Sequence, residues 1–207
     1  MSHRWGPYTV ALERLGAEGM RVRVLGRRGL RHREVRDVRL EVFFVELTAR
    51  PPRELRVRGY SGGAHCCWTD YLFTQEDGLR NLLLFAGGNS TNMEVRDLDR
   101  DGLPELIAWN DVFVGFDGLC YVCFPLLPLV IGWDGRAYRD HTRRFPDLLR
   151  KHLEESRWQV ETMRRKGAEA GHLRGAALGY YAAALLLGQG ATAEASLRRL
   201  APEPVVA

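Results

Sequence analysis

Lysine is almost absent from this chain of 207 residues, and dense basic runs are absent with it. Lys151 and Lys166 are its only lysines, so nearly all of the 30 basic residues are arginine. The net charge of +4 and the pI near 9.0 would suit a polyanion. However, no Lys/Arg run with interleaved aromatic residues is present. The sequence therefore predicts no nucleic-acid partner, with the arginines on solvated strand faces.

Long hydrophobic runs are also missing. The longest apolar stretch, YYAAALLLG at 180–188, is far shorter than the roughly 20 residues that span a bilayer. The first 16 residues lack the apolar core of a signal peptide. We expect no membrane span. We expect a protein that acts outside the cytoplasm, periplasmic or secreted, after loss of a leader that precedes this sequence; the cytoplasm is the alternative location.

What is present is a β pattern over most of the chain, followed by a helical pattern. Alternating, β-branched and aromatic segments are separated by turn signals such as GRRG, EDG, DRDG and WDG. The predicted strands lie at 8–15, 20–26, 38–47, 53–61 and 66–74, and a hairpin is predicted around Asp134-Gly135. Strands first and helices last predict an α+β fold, mainly antiparallel sheet, with a β domain at 1–144 and a helical segment at 145–207.

The helical segment is predicted from a change of period after Pro146. Helices are expected at 147–166, 172–188 and 192–200. The small residues of the second helix suit close packing, and the pair of helices faintly resembles one tetratricopeptide-type hairpin. Since one such unit cannot form a solenoid, we expect the helices to pack on the sheet or to be appended to it.

An internal repeat relates two strand–loop–strand segments at an offset of 51 residues. FVELTARPPREL at 44–55 aligns with VRDLDRDGLPEL at 95–106, so that Leu47 matches Leu98 and Glu54 matches Glu105. The second loop is acidic, whereas the first has Thr48, Arg50 and Pro51 where the second has Asp99, Asp101 and Gly102. We therefore expect the second loop to bind a metal and the first to bind none.

The acidic loop DLDRDGLPE has the ligand spacing of a calcium site. Carboxylates stand at its positions 1, 3, 5 and 9, a glycine at position 6 permits a sharp turn, and position 7 offers a carbonyl. Calcium prefers six to eight hard oxygen ligands. An EF-hand is excluded because position 12 is alanine and the flanks are predicted strands. The alternative is an ion-free acidic turn, but close carboxylates repel one another without a cation. The predicted ligands of one Ca²⁺ are Asp97, Asp99, Asp101, Glu105 and the carbonyl of Leu103.

The segment VRDLDRDGLPELIAW resembles an FG-GAP or VCBS-type repeat, the β unit of integrin-like calcium loops. YSGGAHCCW at 60–68, with GLRNLLLFAGGN and WDGRAYRD, is similar to a bacterial extracytoplasmic family built around such repeats, with no established activity. The repeat resemblance covers only about 40–60 and 90–115. It implies calcium-supported β hairpins in an exported protein, and it supplies no catalytic residue.

GYSGG at 59–63 fits the G-x-S-x-G pattern of a hydrolase nucleophile. Such an elbow follows a parallel strand and opens a helix, but the segment after Ser61 is rich in Cys, Trp, Thr, Tyr and Phe and favours no helix. Asp111 or Asp117 with His141 would complete a triad in order. We expect Ser61 to be a turn residue, and a small serine hydrolase remains the alternative function.

The four cysteines lie in two short segments, Cys66 and Cys67 in one and Cys120 and Cys123 in the other. If both segments are extended, the members of each pair point to opposite faces. Two disulfides between the segments are then expected, in an unassigned order. Buried thiols and a zinc site are the alternatives, which gives a thiol or zinc-binding protein as a further function. His65 is expected to be a structural, hydrogen-bonded histidine.

Together these patterns predict a non-enzymatic, calcium-binding β protein with a structural or recognition role. Its partner, a protein or a surface ligand, is not identified by the sequence, and no residue is assigned a catalytic role.

Overall fold

The computed structural model describes residues 1–27, 32–48, 52–63, 67–89 and 93–200. Within them the chain forms three four-stranded antiparallel sheets followed by three helices, which confirms the predicted fold class. The strands are β1 (Ser2–Trp5), β2 (Tyr8–Arg14), β3 (Met20–Gly26), β4 (Arg33–Asp37), β5 (Arg39–Val45), β6 (Glu54–Tyr60), β7 (Trp68–Thr74), β8 (Arg80–Gly88), β9 (Glu94–Arg96), β10 (Glu105–Asn110), β11 (Leu127–Trp133) and β12 (Tyr138–Asp140).

The first sheet is a meander in the order β1-β2-β3-β4. Its alternating sequence buries one face, because side chains two residues apart share a side of the sheet. Val10 lies opposite Val24, and Val22 lies opposite Val35. All four are buried in one core together with Leu55 and Val57 of β6. Burial of each such side chain stabilises the fold by about 1.5–3 kcal/mol.

The second sheet has the order β5-β6-β7-β8, and its inner strand β6 is buried on both faces. On the face opposite Leu55 and Val57, Arg56 and Arg58 are only 6% and 9% exposed. The prediction of solvated arginines on strand faces is therefore wrong for these two residues. The physical reason is Asp70 of β7, because its Oδ1 accepts a 2.6 Å hydrogen bond from Arg56 Nε and lies 3.5 Å from Arg58 Nε.

The third sheet has the order β12-β11-β10-β9. The predicted hairpin around Asp134-Gly135 joins β11 to β12, with Gly135 at a φ of +93°. Asp134 Oδ1 accepts hydrogen bonds from the backbone N–H groups of Arg136 and Ala137, and Arg139 Nε donates to its Oδ2. These donors lower the pKa of Asp134 to about 2, because they favour its ionised form.

The helices are α1 (Pro146–Arg165), α2 (Ala170–Leu186) and α3 (Gly190–Leu200). Proline at the start of α1 suits a position whose N–H needs no helical partner. The buried face of α2 consists mainly of alanine and glycine with Tyr180, and it packs against Val160 of α1 and Leu197 of α3. No helix in the described part of the chain is long and apolar enough to cross a membrane.

The chain divides into two compact units. One comprises 1–106 and 131–139, and the other comprises 107–130 and 140–207. This division differs from the predicted one at 144/145, because the segment 107–130 belongs with the helices. The acidic loop lies in the first unit, and Cys120 and Cys123 lie in the second.

Candidate metal centre

The acidic loop connects β9 to β10, and its flanks are strands, as predicted. Two residues in the loop have a positive φ: Arg100 at +62° and Gly102 at +88°. The second conformation favours glycine because it has no Cβ. These two residues turn the chain back on itself, so that the start of the loop faces the first residue of β10.

The turn brings three of the four predicted carboxylates together. One carboxylate oxygen each from Asp97, Asp99 and Glu105 lies within 4.8 Å of the others. Asp99 is exposed, Asp97 is half-buried, and Glu105 is only 5% exposed. The cluster therefore reaches from solvent into the protein, which gives an ion a route to a buried ligand.

Backbone hydrogen bonds position two of these side chains. Leu98 N donates to Glu105 Oε2 at 2.8 Å, and Gly102 N donates to Asp97 Oδ2 at 3.0 Å. The other oxygen, Asp97 Oδ1, is buried and has no hydrogen-bond partner among the described residues. A buried acceptor without a partner costs about 1–3 kcal/mol, and a cation would satisfy it.

The remaining two predicted ligands are placed differently. Asp101 Oδ1 accepts a 2.7 Å hydrogen bond from Leu103 N, which closes a local turn. Asp101 is not a member of the three-residue cluster. The carboxylate of Asp101 therefore holds the turn in this structure, and the Leu103 carbonyl remains a predicted ligand.

The electrostatics of the loop oppose ionisation of Glu105. Burial raises the pKa of Glu105 above its ordinary value, and the negative charges of Asp99 and Asp101 raise it further. The Leu98 N–H donor acts in the opposite direction and does not cancel the effect of burial. A cation at the cluster would reverse this balance, because an opposite charge favours the ionised carboxylate.

The first loop of the internal repeat shows what replaces the acidic cluster. Glu54, the counterpart of Glu105, is 1% exposed, and its Oε2 accepts a 2.9 Å hydrogen bond from Leu47 N. Its Oε1 accepts a 2.6 Å hydrogen bond from the Thr48 hydroxyl. Since Thr48 is the counterpart of Asp99, one loop supplies a donor where the other supplies a second carboxylate.

Each of the two buried glutamates thus accepts a hydrogen bond from the backbone N–H seven residues earlier in its own loop, and we call this N–H the anchor. The sequence aligns Glu54 with Glu105 but predicts for Glu105 only the role of a calcium ligand at the ninth position of the loop. The signal that would have revealed the shared anchor is the Glu-Leu pair that follows both loops. Arg50 and Pro51 of the first loop lie outside the described residues.

The cysteines are paired differently from the prediction. Cys120 bonds to Cys123, so neither is bridged to the Cys66-Cys67 segment. The prediction assumed an extended CYVC segment, whereas Cys123 N donates to Cys120 O at 2.8 Å in a turn that brings the two Cα atoms to 5.0 Å. His65 and Cys66 lie outside the described residues.

Ser61 lies in the loop between β6 and β7. These strands pair antiparallel, with Tyr60 opposite Trp68. Ser61 N donates to Cys67 O at 3.2 Å, and the Ser61 hydroxyl is 3.5 Å from the same oxygen. Strand β7 thus stands where a nucleophile elbow has its helix.

No protein-family model, curated protein or solved structure matches this chain. The likeness to FG-GAP and VCBS-type repeats therefore rests on the residues of the acidic loop and on the hairpin that carries it, and it stays a prediction.

Proposed function

We propose that this chain is a non-enzymatic, calcium-binding β protein, in which the ion holds the β9–β10 hairpin for a structural or recognition role. The observation that carries the proposal is the buried Asp97 Oδ1, which has no partner in the described part of the chain and lies within a cluster of three carboxylates. The cluster concentrates negative charge next to a buried glutamate. A divalent cation is the group that relieves both problems at once.

The chemistry of the cluster favours Ca²⁺ over softer metals. All three side chains offer oxygen, and the loop adds the predicted Leu103 carbonyl, with water and Asp101 to complete a shell of six to eight ligands. Zinc and copper prefer nitrogen and sulfur, which these side chains do not provide.

A structural role follows from where the ligands lie. Asp97 begins the loop after β9, and Glu105 is the first residue of β10, so an ion that binds both ties the two strands together. Binding to the native state alone stabilises it by RT ln(1 + [L]/Kd), which is about 2.7 kcal/mol at a hundredfold excess over Kd.

Two considerations support action outside the cytoplasm. Millimolar calcium outside the cell fills weak sites that would stay largely empty in the cytosol. In addition, the Cys120–Cys123 disulfide is a bond that oxidising compartments maintain.

Calorimetric titration of the chelator-treated protein tests the proposal. We expect about one Ca²⁺ per chain. Asp99→Ala should weaken binding at least tenfold, and Asp99→Ala combined with Asp101→Ala should abolish it. Asp101→Ala alone should weaken binding less, because its carboxylate already accepts from Leu103 N.

The first loop supplies the matched control. Thr48→Ala removes the equivalent side chain there and should leave the calcium stoichiometry at one. A wild-type melting temperature that changes with neither calcium nor chelator would contradict the structural role.

A further inference from the structure

A second group of metal-ligating side chains lies in the other unit, at the turn that contains Cys120 and Cys123. Both sulfur atoms and a ring nitrogen of His172 lie within 4.8 Å of one another. His172 belongs to the first turn of α2 and is half-buried. The acidic loop contributes no residue to this group.

Two glycines of α2 let the cysteine turn lie directly on the helix. A Cβ at Gly175 would lie 1.6 Å from the Cys123 carbonyl oxygen, and a Cβ at Gly171 would lie 3.3 Å from Cys123 Sγ. Only glycine at position 175 permits this approach. The packing therefore holds Cys123 beside His172, and the group does not depend on a chance meeting of surface side chains.

The two sulfur atoms differ in their exposure. Cys123 is 7% exposed, whereas Cys120 is exposed to solvent. A reductant can therefore reach the disulfide from the side of Cys120. Reduction would give two thiols held three residues apart, which is the ligand spacing of many zinc sites.

We propose that the reduced chain binds one thiolate-preferring divalent cation, of the Zn²⁺ class, through Cys120 Sγ, Cys123 Sγ and a ring nitrogen of His172. A dithiol reductant supplies two electrons and two protons to the disulfide and itself becomes a disulfide. The metal then displaces the two thiol protons and binds two thiolates. A disulfide oxidant reverses the process: it accepts two electrons and, with two protons, becomes two thiols, while the metal leaves and the two sulfurs bond to each other. Metal and disulfide therefore exclude each other.

The geometry suits zinc after a small movement. Zinc binds sulfur at about 2.3 Å and nitrogen at about 2.0–2.1 Å, so the sulfurs of a tetrahedral site stand roughly 3.7 Å apart. Three protein ligands leave one position to solvent. A carboxylate oxygen of the exposed Glu169 lies 3.9 Å from His172 Nδ1, which is too far for a hydrogen bond.

Cobalt is the probe that tests this site, because Co²⁺ bound to thiolates gives charge-transfer absorption that carboxylate sites lack. The full chain carries Cys66→Ser and Cys67→Ser, which remove other thiols, and Asp99→Ala, which weakens the acidic loop. The sample is reduced, freed of reductant without air, and titrated with CoCl₂. We expect one equivalent of Co²⁺ with thiolate absorption in the reduced chain and none in the oxidised chain.

The variant His172→Ala tests whether His172 binds the metal, and His141→Ala is its control. His172→Ala should weaken Co²⁺ binding at least tenfold and leave the melting temperature of the oxidised chain unchanged. His141→Ala, outside the group, should leave Co²⁺ affinity unchanged. The proposal is overturned if the reduced chain shows no thiolate absorption, if His172→Ala binds as tightly as its parent, or if the oxidised chain binds equally well. Because a carboxylate site gives no thiolate absorption and the acidic loop is weakened throughout, these results are independent of the calcium proposal.

Discussion

At the scale of the residue, one difference between the two repeat loops lies directly beside their buried glutamates. Thr48 donates a hydrogen bond to the buried Glu54, whereas the corresponding Asp99 places a carboxylate beside the buried Glu105. The buried glutamate therefore has a side-chain donor in the first loop, and we propose that a cation takes the place of that donor in the second. The substitution Asp99→Thr gives the second loop the side chain that the first loop has at this position.

Asp99→Thr should make the stability of the second loop much less dependent on calcium. The hydroxyl would donate to Glu105 as Thr48 does to Glu54, and one negative charge would be lost. In chelator we expect the free energy of unfolding to rise by about 1.5 kcal/mol, the contribution of a hydrogen bond to a charged group. Chemical denaturation with and without calcium measures this change.

Asp99→Ala is the control for that substitution, because it removes the charge without supplying a donor. It should be less stable in chelator than Asp99→Thr. Equal stability of the two variants in chelator, or calcium binding by Asp99→Thr as tight as that of the wild type, would show that the two loops are not equivalent.

The pH dependence of stability should report the raised pKa of Glu105. The folded, calcium-free chain holds this proton more tightly than the unfolded chain does, so its stability should increase as pH falls from neutral through the raised pKa towards 4.5. Calcium favours the ionised form, so the gain from calcium should be largest at neutral pH and should shrink over the same window. Denaturation at a series of pH values, with and without calcium, measures both trends.

Glu105→Gln should remove the part of this pH dependence that Glu105 causes, and Glu54→Gln should not. If the calcium-dependent gain in stability were constant from neutral pH to 4.5, Glu105 would not be a ligand.

At the scale of the element, the contact between α2 and the turn that contains Cys120 and Cys123 requires glycine at position 175. Helix propensity would favour alanine over glycine at an interior position by about 1 kcal/mol. At position 175 the close backbone of Cys123 outweighs that preference, because an added methyl group has no space.

Gly175→Ala should therefore destabilise the protein by about 1–3 kcal/mol, the range for overpacking a close contact. The measurement is the unfolding free energy of the oxidised chain in denaturant. Gly190→Ala is the control, since its new methyl group would meet only the end of the Leu185 side chain. A more stable Gly175→Ala variant would show that the turn does not pack on the helix as described.

At the scale of the whole molecule, calcium should act locally. The acidic loop belongs to the unit formed by 1–106 and 131–139, and α2 belongs to the other unit. We expect the ion to tie β9 to β10 and to protect the amides that donate to its proposed ligands, Leu98 N and Gly102 N.

Hydrogen exchange measured by mass spectrometry tests this locality. Addition of chelator should speed amide exchange in peptides that cover 94–110 and leave peptides from the buried middle of α2 unchanged. The Asp99→Thr variant should show a much smaller response to chelator in 94–110 and none in α2. A uniform increase over the whole chain would contradict a local role for the ion.

Much of the fold could be predicted because its signals are local. The hydrophobic alternation placed β3 and β6 within a residue of their observed bounds, and the change of period placed α1 and α2 within about two residues of theirs. The acidic loop was recognised because its glycine and carboxylates are close in sequence, so their meeting needs only a turn.

What the sequence by itself determined is therefore most of the elements, although not β1, β4 and β8, together with the repeated hairpin and the oxygen-rich chemistry of its second loop. Tertiary structure alone decided that Asp101 turns to the backbone while Asp97 joins Glu105, that Arg56 and Arg58 are buried around Asp70, and that Cys120 pairs with Cys123 beside His172. The physical reason is that periodicity and turn residues act over a few positions. Side-chain pairing depends instead on the path that brings distant segments together.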